Sequence, residues 1–233
     1  MNLRFLSFFA GALLPLLVMP SASAVVAPGI SVGGLVLGEP DIVSVTSNVS
    51  TGAGNTTQLI DQSGLSANYT SLVTPFSPFL NSTTTQVQIG ANGWRSSSGQ
   101  TVTLTFTLDD IYQITGIGLW QTGGASITAR QVQGFTVWAD SDANINNGLG
   151  TAFGSFVAQQ QTDVPYVGQA WGVAQTPWNT QSTQFIHLQV TSNYGGNGVS
   201  LGEVVFAVPE PLTMLGASAA IAFGTAFKRK AKS

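Results

Sequence analysis

Residues 101–108 read Thr-Val-Thr-Leu-Thr-Phe-Thr-Leu, so that hydroxyl and apolar side chains alternate at every position. In a β-strand successive side chains point to opposite faces, which places Val102, Leu104, Phe106 and Leu108 on one face and the threonines on the other. A helix would scatter these apolar residues around its circumference. The stretch therefore predicts an amphipathic strand.

Several other segments carry strand patterns, and clusters rich in Gly, Asn, Ser and Asp separate them. The candidate strands are Ile42 to Val49, Gln86 to Ile89, Ile114 to Trp120, Val132 to Ala139, Gln184 to Thr191 and Leu201 to Ala207. Only short helical pieces are expected, near Thr57 to Leu65 and in the 68 to 74 region. Short strands joined by turns in a body of this length predict an all-β fold, a single jelly-roll β-sandwich.

Three segments resemble the discoidin, or coagulation factor type C, family of galactose-binding-like jelly rolls. They are 102–120, 132–142 and 185–206, the last with the turn Ser192-Asn-Tyr-Gly-Gly196 and the strand Leu201-Gly-Glu-Val-Val-Phe206. The resemblance covers residues 40 to 207 and implies that this strand closes the barrel. His187 stands where the family often has arginine, and the cysteine pair of many animal members is absent.

The end of the chain has three parts in a fixed order. Val208-Pro209-Glu210-Pro211 precedes an apolar run from Leu212 to Phe227, and a basic end follows with Lys228, Arg229, Lys230 and Lys232. The run predicts a short transmembrane helix over 212–227, and the basic end predicts a cytoplasmic terminus. This order resembles the PEP-CTERM sorting signal of bacterial surface proteins. The resemblance implies processing at Pro209, Glu210 and Pro211 by an exosortase-type enzyme, after a transient stay in the inner membrane.

The amino terminus predicts export. Arg4, the apolar stretch Phe5 to Val18 and the small-residue site Ala22-Ser23-Ala24 predict a signal peptide over residues 1–24. Residues 25–39 are then either a flexible lead or a first edge strand, 40–207 the discoidin-like sandwich and 208–233 the sorting signal. The expected destination is the outer surface or the extracellular space.

Charge and cysteine content exclude several functions. Within Val25 to Val208 the only basic residues are Arg95 and Arg130, whereas of the ten acidic residues in the chain only Glu210 lies outside this body. Nucleic acid and anionic lipid both require basic patches, so no nucleic-acid partner is expected. With no cysteine, disulfides, thiolate metal sites and cysteine catalysis are excluded.

The aromatic residues indicate a ligand. Trp94 precedes Arg95, and Tyr166 and Trp171 lie in the long segment before the Gln184 strand. Aromatic faces stack on sugar rings, and an adjacent arginine can bond hydroxyls. Trp94, Arg95, Tyr166 and Trp171 are therefore the candidate glycan-binding residues. Trp120, Trp138 and Trp178 are expected to serve packing instead.

The acidic residues leave alternatives open. Asp140, Asp142 and Asn144 present oxygens at alternate positions, which suits either a structural calcium ion or a plain Asn/Asp-rich turn. Asp109-Asp110 is expected at a strand end. The strand pattern places His187 on the outer, solvated face.

These patterns together predict an exported, non-enzymatic surface or extracellular-matrix protein that associates with glycan or exopolysaccharide. One alternative is a secreted glycan-active hydrolase that uses Asp140, Asp142 or Asp163 as its acid. The other is a purely architectural matrix protein without a ligand.

Overall fold

A computed structural model describes residues 35–38, 42–85, 92–122, 127–172 and 182–209. The chain divides into two compact units, Met1–Val32 and Gly33–Ser233, and all described residues belong to the second. Four predictions fall outside the described residues: the signal peptide, the strand at 86–89, the packing role of Trp178 and the sorting signal beyond Pro209. Within the described part, no helix has the length and apolar character needed to cross a membrane.

Strands are the main regular elements of the described residues. The strands are β1 Leu35–Gly38, β2 Ile42–Ser47, β3 Thr51–Ala53, β4 Thr84–Thr85, β5 Trp94–Ser96, β6 Val102–Gln113, β7 Gly116–Trp120, β8 Val132–Asp140, β9 Thr151–Val157, β10 Tyr166–Val167, β11 Gln169–Trp171, β12 Ser182–Asn193, β13 Ser200–Leu201 and β14 Glu203–Pro209. One α-helix, α1 (Phe76–Ser82), and the 3-10 turns Thr56–Leu59 and Thr128–Arg130 complete the elements.

Two antiparallel sheets enclose the main core. The five-stranded sheet has the order β2-β6-β12-β8-β9, and the four-stranded sheet has the order β1-β14-β7-β11. The apolar face of β6 points between them, where the rings of Phe106 and Phe206 meet edge to face with centroids 5.2 Å apart. The prediction of a β-sandwich is confirmed, and the alternation at 101–108 marks its inner face correctly.

Helix α1 covers the outer face of the four-stranded sheet. Phe76, Phe79 and Leu80 are buried there against Trp120 and Val205. This second core explains why β7 and β14 are buried on both faces. The predicted helices at 57–65 and 68–74 are wrong: the first region holds only a 3-10 turn, and the α-helix begins later.

Proline explains the missed helix. Pro75 precedes α1 and Pro78 lies within it, a composition typical of loops. The first turn of a helix tolerates proline because its N–H groups have no intrahelical acceptor.

Several strands extend beyond their predicted ends, and in β6 and β14 the extension bears on a prediction. β6 continues through Asp109 and Asp110, and its last residue, Gln113, pairs with Ser182, so the strand end predicted at Asp109 is wrong. β14 continues to Pro209, the first residue of the predicted processing triplet, which lies opposite Leu35 of β1. Part of the 25–39 segment is therefore an edge strand.

The strand registers sort the loops into two ends. One end, called here the loop end, is defined by the pairs Val102–Val190, Val132–Asn193 and Gly134–Val157. The loops at this end are residues 48–55, 92–101, 127–131, 158–163 and 193–202. The pairs Gln113–Ser182 and Asp140–Phe185 place residues 109–115 and 140–150 at the opposite end, called the terminal end, where β14 finishes. Loops fixed to one end of a rigid sandwich are common places for binding sites.

Candidate functional site

The segment between β9 and β11 surrounds a depression of about 310 Å³ at the loop end. We call this depression the amide groove. Its lining is formed by Gln159, Gln160, Gln161, Thr162, Asp163, Pro165, Val167 and Gln169. Half of these side chains are primary amides, which can each donate and accept hydrogen bonds.

Two glutamine side chains hold the groove in shape by pairing with backbone. The Gln161 amide accepts from Val167 N at 2.7 Å and donates to Val167 O at 2.9 Å. The Gln169 amide accepts from Gln159 N at 2.7 Å and donates to Gln159 O at 3.0 Å. Each pair reproduces the two bonds that a neighbouring strand would make, so short loop segments are fixed without a sheet.

Buried Gln131 ties the groove to the sandwich. Its amide accepts from Gln161 N at 2.8 Å and donates to Gln161 O at 2.8 Å and to Thr122 O at 3.2 Å. On the groove side, Gln160 Nε2 donates to Thr128 O at 3.2 Å. The groove is therefore joined to the turn that ends at Arg130. The sequence reasoning missed this network, for which the run Gln159-Gln160-Gln161 is the available signal.

Two predicted ligand-stacking residues are buried. Trp94 is 0% exposed and its indole Nε1 donates to Thr51 Oγ1 at 3.1 Å. Tyr166 is 1% exposed; its burial, and secondarily the charge of Asp163, raise the pKa of its phenol. The expectation that these two rings offer a stacking surface is corrected, because both pack into the protein.

The other two candidates remain accessible in part. Arg95 is half-buried, and its Nη2 donates to Gly52 O at 3.3 Å. Trp171 is half-buried, with its ring edge-on to Phe135 at a centroid distance of 5.0 Å. They lie in different sheets, at β5 and at β11. Ligand contact by Arg95 or Trp171 stays a prediction.

His187 is buried, which corrects the prediction of a solvated histidine. Its Nδ1 lies 2.9 Å from Thr105 Oγ1 and its Nε2 lies 3.2 Å from Asp140 Oδ2. Hydroxyl, imidazole and carboxylate in this order resemble a nucleophilic triad. However, Thr105 is only 4% exposed and lies within the sheet, so a substrate cannot reach its hydroxyl. The cluster instead joins β6, β12 and β8.

The predicted calcium ligands form consecutive turns at the terminal end. Asp142 accepts from Asn144 N at 2.7 Å and from Asn147 Nδ2 at 3.0 Å, and Asn144 Oδ1 accepts from Asn146 N at 3.1 Å. Asp140 bonds His187 and the Ser141 amide. The plain-turn interpretation accounts for this geometry, and calcium stays a prediction. Across the described ranges, no three His, Cys, Asp or Glu residues gather as a metal site would.

The hydrogen bond from Asn144 N, aided by that from Asn147, lowers the pKa of Asp142 below its ordinary value. A general acid in glycoside hydrolysis needs the opposite shift, since it must hold its proton near neutral pH. Asp142 is thus poorly suited to the acid role that the hydrolase alternative gave it.

No protein-family model and no curated protein matches the sequence. Solved structures do. The two family 32 carbohydrate-binding modules with the M60 catalytic domain of ZmpB from Clostridium perfringens share 13% identity with this chain at a TM-score of 0.50, covering 77% of this chain and 15% of that one. The body has the galactose-binding-like β-sandwich fold.

Two further structures are similar. The family 32 module of NanJ from Clostridium perfringens, solved in complex with galactose, shares 12% identity at a TM-score of 0.47, covering 76% of this chain and 99% of that one. A fucolectin from striped bass (Morone saxatilis) serum shares 9% identity at a TM-score of 0.46, covering 71% and 45%. At such identities the likeness concerns the fold alone. The predicted discoidin-like fold is confirmed at that level.

Proposed function

We propose that this protein is an exported, non-enzymatic surface or extracellular-matrix protein that binds polysaccharide through the amide groove. The observation that carries the proposal is the pair of clamped amides of Gln161 and Gln169. A primary amide has two N–H donors and two oxygen lone pairs, and each backbone clamp uses one of each. One donor and one acceptor therefore remain on each amide, which matches the hydroxyl groups of a sugar.

The groove also supplies apolar surface. Pro165 and Val167 line it beside the amides, and Val167 is 51% exposed. Sugar rings present C–H faces as well as hydroxyls, and carbohydrate sites combine a few fixed polar groups with apolar contact. Because the clamps fix the amides before a ligand arrives, binding costs less side-chain entropy.

Delivery to the surface is the second part of the proposal. The signal peptide at 1–24 and the PEP-CTERM pattern at 208–233 support export, a transient inner-membrane anchor and processing by an exosortase-type partner. β14 ends at Pro209, so the processing joint would begin where the last strand stops. The mature body would then associate with extracellular polysaccharide.

A glycan array followed by titration of the best ligand tests the binding proposal. The combined Gln161→Ala and Gln169→Ala variant should weaken binding about tenfold or more, because two hydrogen bonds and the fixed loop are lost. The matched control Gln189→Ala, on the five-stranded sheet, should bind like the wild type. Incubation with the bound polysaccharide should release no reducing ends.

The outcomes separate the alternatives. A folded wild-type protein that binds no glycan supports the architectural alternative and refutes the proposal. Binding that survives the double variant places the ligand outside the amide groove. Release of reducing ends supports the hydrolase.

A further inference from the structure

Arg95 and Arg130 are the only arginines among the described residues, which contain no lysine, and both lie at the loop end. In the described ranges the single ion pair is His187 with Asp140, so no carboxylate neutralises either guanidinium. The exposed acids of this end, Asp61 and Asp163, pair with neither. The Asp61 carboxylate accepts from Ser63 N at 2.9 Å instead.

The fold brings the backbone segments that carry the two arginines close together. Ser200 lies opposite Arg95 in the β13–β5 register and also bridges to Gln131, the residue after Arg130. Arg95 and Gln131 are therefore two strand spacings apart, about 10 Å.

The turn between the arginines, Tyr194-Gly-Gly-Asn-Gly198, is rich in glycine. Gly196 N donates to Ala129 O at 2.9 Å, and a Cβ on Gly196 would lie 2.5 Å from Arg130 Cγ. At the other edge a Cβ on Gly198 would lie 3.0 Å from Ser96 Oγ, next to Arg95. The turn thus needs glycine where it touches both arginine-bearing elements. We call Arg95, Arg130 and the turn 194–198 the arginine saddle.

Hydrogen-bonding capacity is unused at the Arg95 side of the saddle. Arg95 Nε and Ser200 Oγ, which are cross-strand neighbours, are buried and have no hydrogen-bond partner. Arg95 Nη2 is already held by Gly52 O, so the guanidinium has a fixed direction. Because Nε is buried, a ligand reaches this guanidinium through its exposed Nη end, where a carboxylate can accept from the Nη groups.

Acids lie at both ends of the body, with Asp61, Asp163 and the buried Glu203 at the loop end, but the two arginines lie at the loop end alone among the described residues. The terminal end carries Asp109, Asp110, Asp140 and Asp142, and the described residues there include no lysine or arginine. The terminal end therefore repels an acidic ligand, whereas the loop end offers it Arg95 and Arg130. Two arginines in an acidic body suit a discrete carboxylate, whereas nucleic acid needs a continuous basic surface.

We propose that the arginine saddle binds the carboxylate groups of an acidic glycan, while the adjoining amide groove takes the neighbouring sugar. The inference rests on the proposed glycan binding and specifies its substrate class. The link between Gln160 and Thr128 O joins the groove to the turn that carries Arg130, so one chain of sugars can span both.

Carboxyl reduction provides the test. Polygalacturonate, alginate and hyaluronan are each compared with the same polymer after its carboxylates are converted to hydroxymethyl groups, using the purified full-length protein. At least one polymer should bind tenfold or more tighter than its reduced form. The Arg95→Gln and Arg130→Gln double variant should lose this preference and keep its affinity for the reduced polymer. Each arginine is expected to account for a roughly threefold to tenfold effect.

Controls keep the test decisive. Arg95→Lys with Arg130→Lys retains the charges and should retain part of the preference, and Asp109→Asn, at the terminal end, should change nothing. Wild-type protein that binds every reduced polymer as well as its acidic form overturns the inference but leaves glycan binding intact. A preference for the acidic polymer that survives in the Arg95→Gln, Arg130→Gln double variant also overturns the inference and leaves glycan binding intact. Failure to bind any acidic, reduced or neutral glycan instead refutes the proposed function itself.

Discussion

Replacing Gln131 with leucine should destabilise the protein and loosen the amide groove. The side chain is fully buried and makes three hydrogen bonds, to the N–H and carbonyl of Gln161 and to the carbonyl of Thr122. Leucine has a similar size but no polar atoms, so all three bonds are lost and their backbone partners stay in place.

The expected magnitude follows from the bond count. A net contribution near 1 kcal/mol for each bond gives about 3 kcal/mol in the free energy of unfolding. A domain of ordinary stability has about 5–15 kcal/mol in total, so the change is large. With a urea m-value of about 2 kcal/mol/M, the unfolding midpoint should fall by about 1.5 M.

Urea titration followed by tryptophan fluorescence measures the shift. The matched control is Gln160→Leu, which removes one exposed hydrogen bond and should change the stability by about 0.5 kcal/mol or less. Amide exchange at Gln161 should rise in the Gln131 variant and not in the control. If the free energy of unfolding of Gln131→Leu were within about 0.5 kcal/mol of the wild-type value, the Gln131 hydrogen bonds would not be stabilising the groove.

Three other changes have defined outcomes. Leu80→Ala should cost about 2–5 kcal/mol in urea unfolding because the side chain seals α1 to the outer sheet face; a smaller loss would mean that the helix is dispensable. Asp142 has a folded-state pKa below its ordinary value of 3.8, so its carboxylate stabilises the protein above that pH and the contribution is lost as pH falls through the folded pKa. Asp142→Asn should therefore show a smaller drop in urea midpoint between pH 7 and acid, and an equal drop contradicts the assignment. Alanines at 209–211 should retain full-length protein in the inner membrane in cell fractionation, whereas undiminished release of a processed form would refute the sorting hypothesis.

The sequence located the inner face of the sandwich because a single rule governs it. Along β6, alternate residues point into the core, and the apolar pattern at Val102 to Leu108 records this directly. The same rule failed beyond Leu108, where the strand is held by pairing with β12 rather than by burial. Asp109 and Asp110 are exposed within a strand, which composition alone assigns to a turn.

At the candidate site, the sequence reasoning failed to predict that His187 is buried although it lies on the outer face of the sheet. Alternation implies that the residue between Ile186 and Leu188 faces water. In a central strand, however, lateral neighbours also cover it: His187 lies between Thr105 and Trp138. The hydrogen bonds of the Gln161 and Gln169 amides could not be predicted either, because a side chain that bonds to backbone elsewhere in the chain produces no repeating pattern of residue types in the sequence.

The pairing of β1 with β14 has a consequence for the order in which the molecule can assemble. β14 is an inner strand of its sheet, between β1 and β7, and it is also the last strand of the body to leave the ribosome. Contacts between the two ends of a chain are slow to form because a long loop must close first. The four-stranded sheet therefore cannot close while residues 203–209 are still being synthesised or threaded through a membrane. If the protein is exported as proposed, its body would complete folding only after the final strand has crossed the membrane.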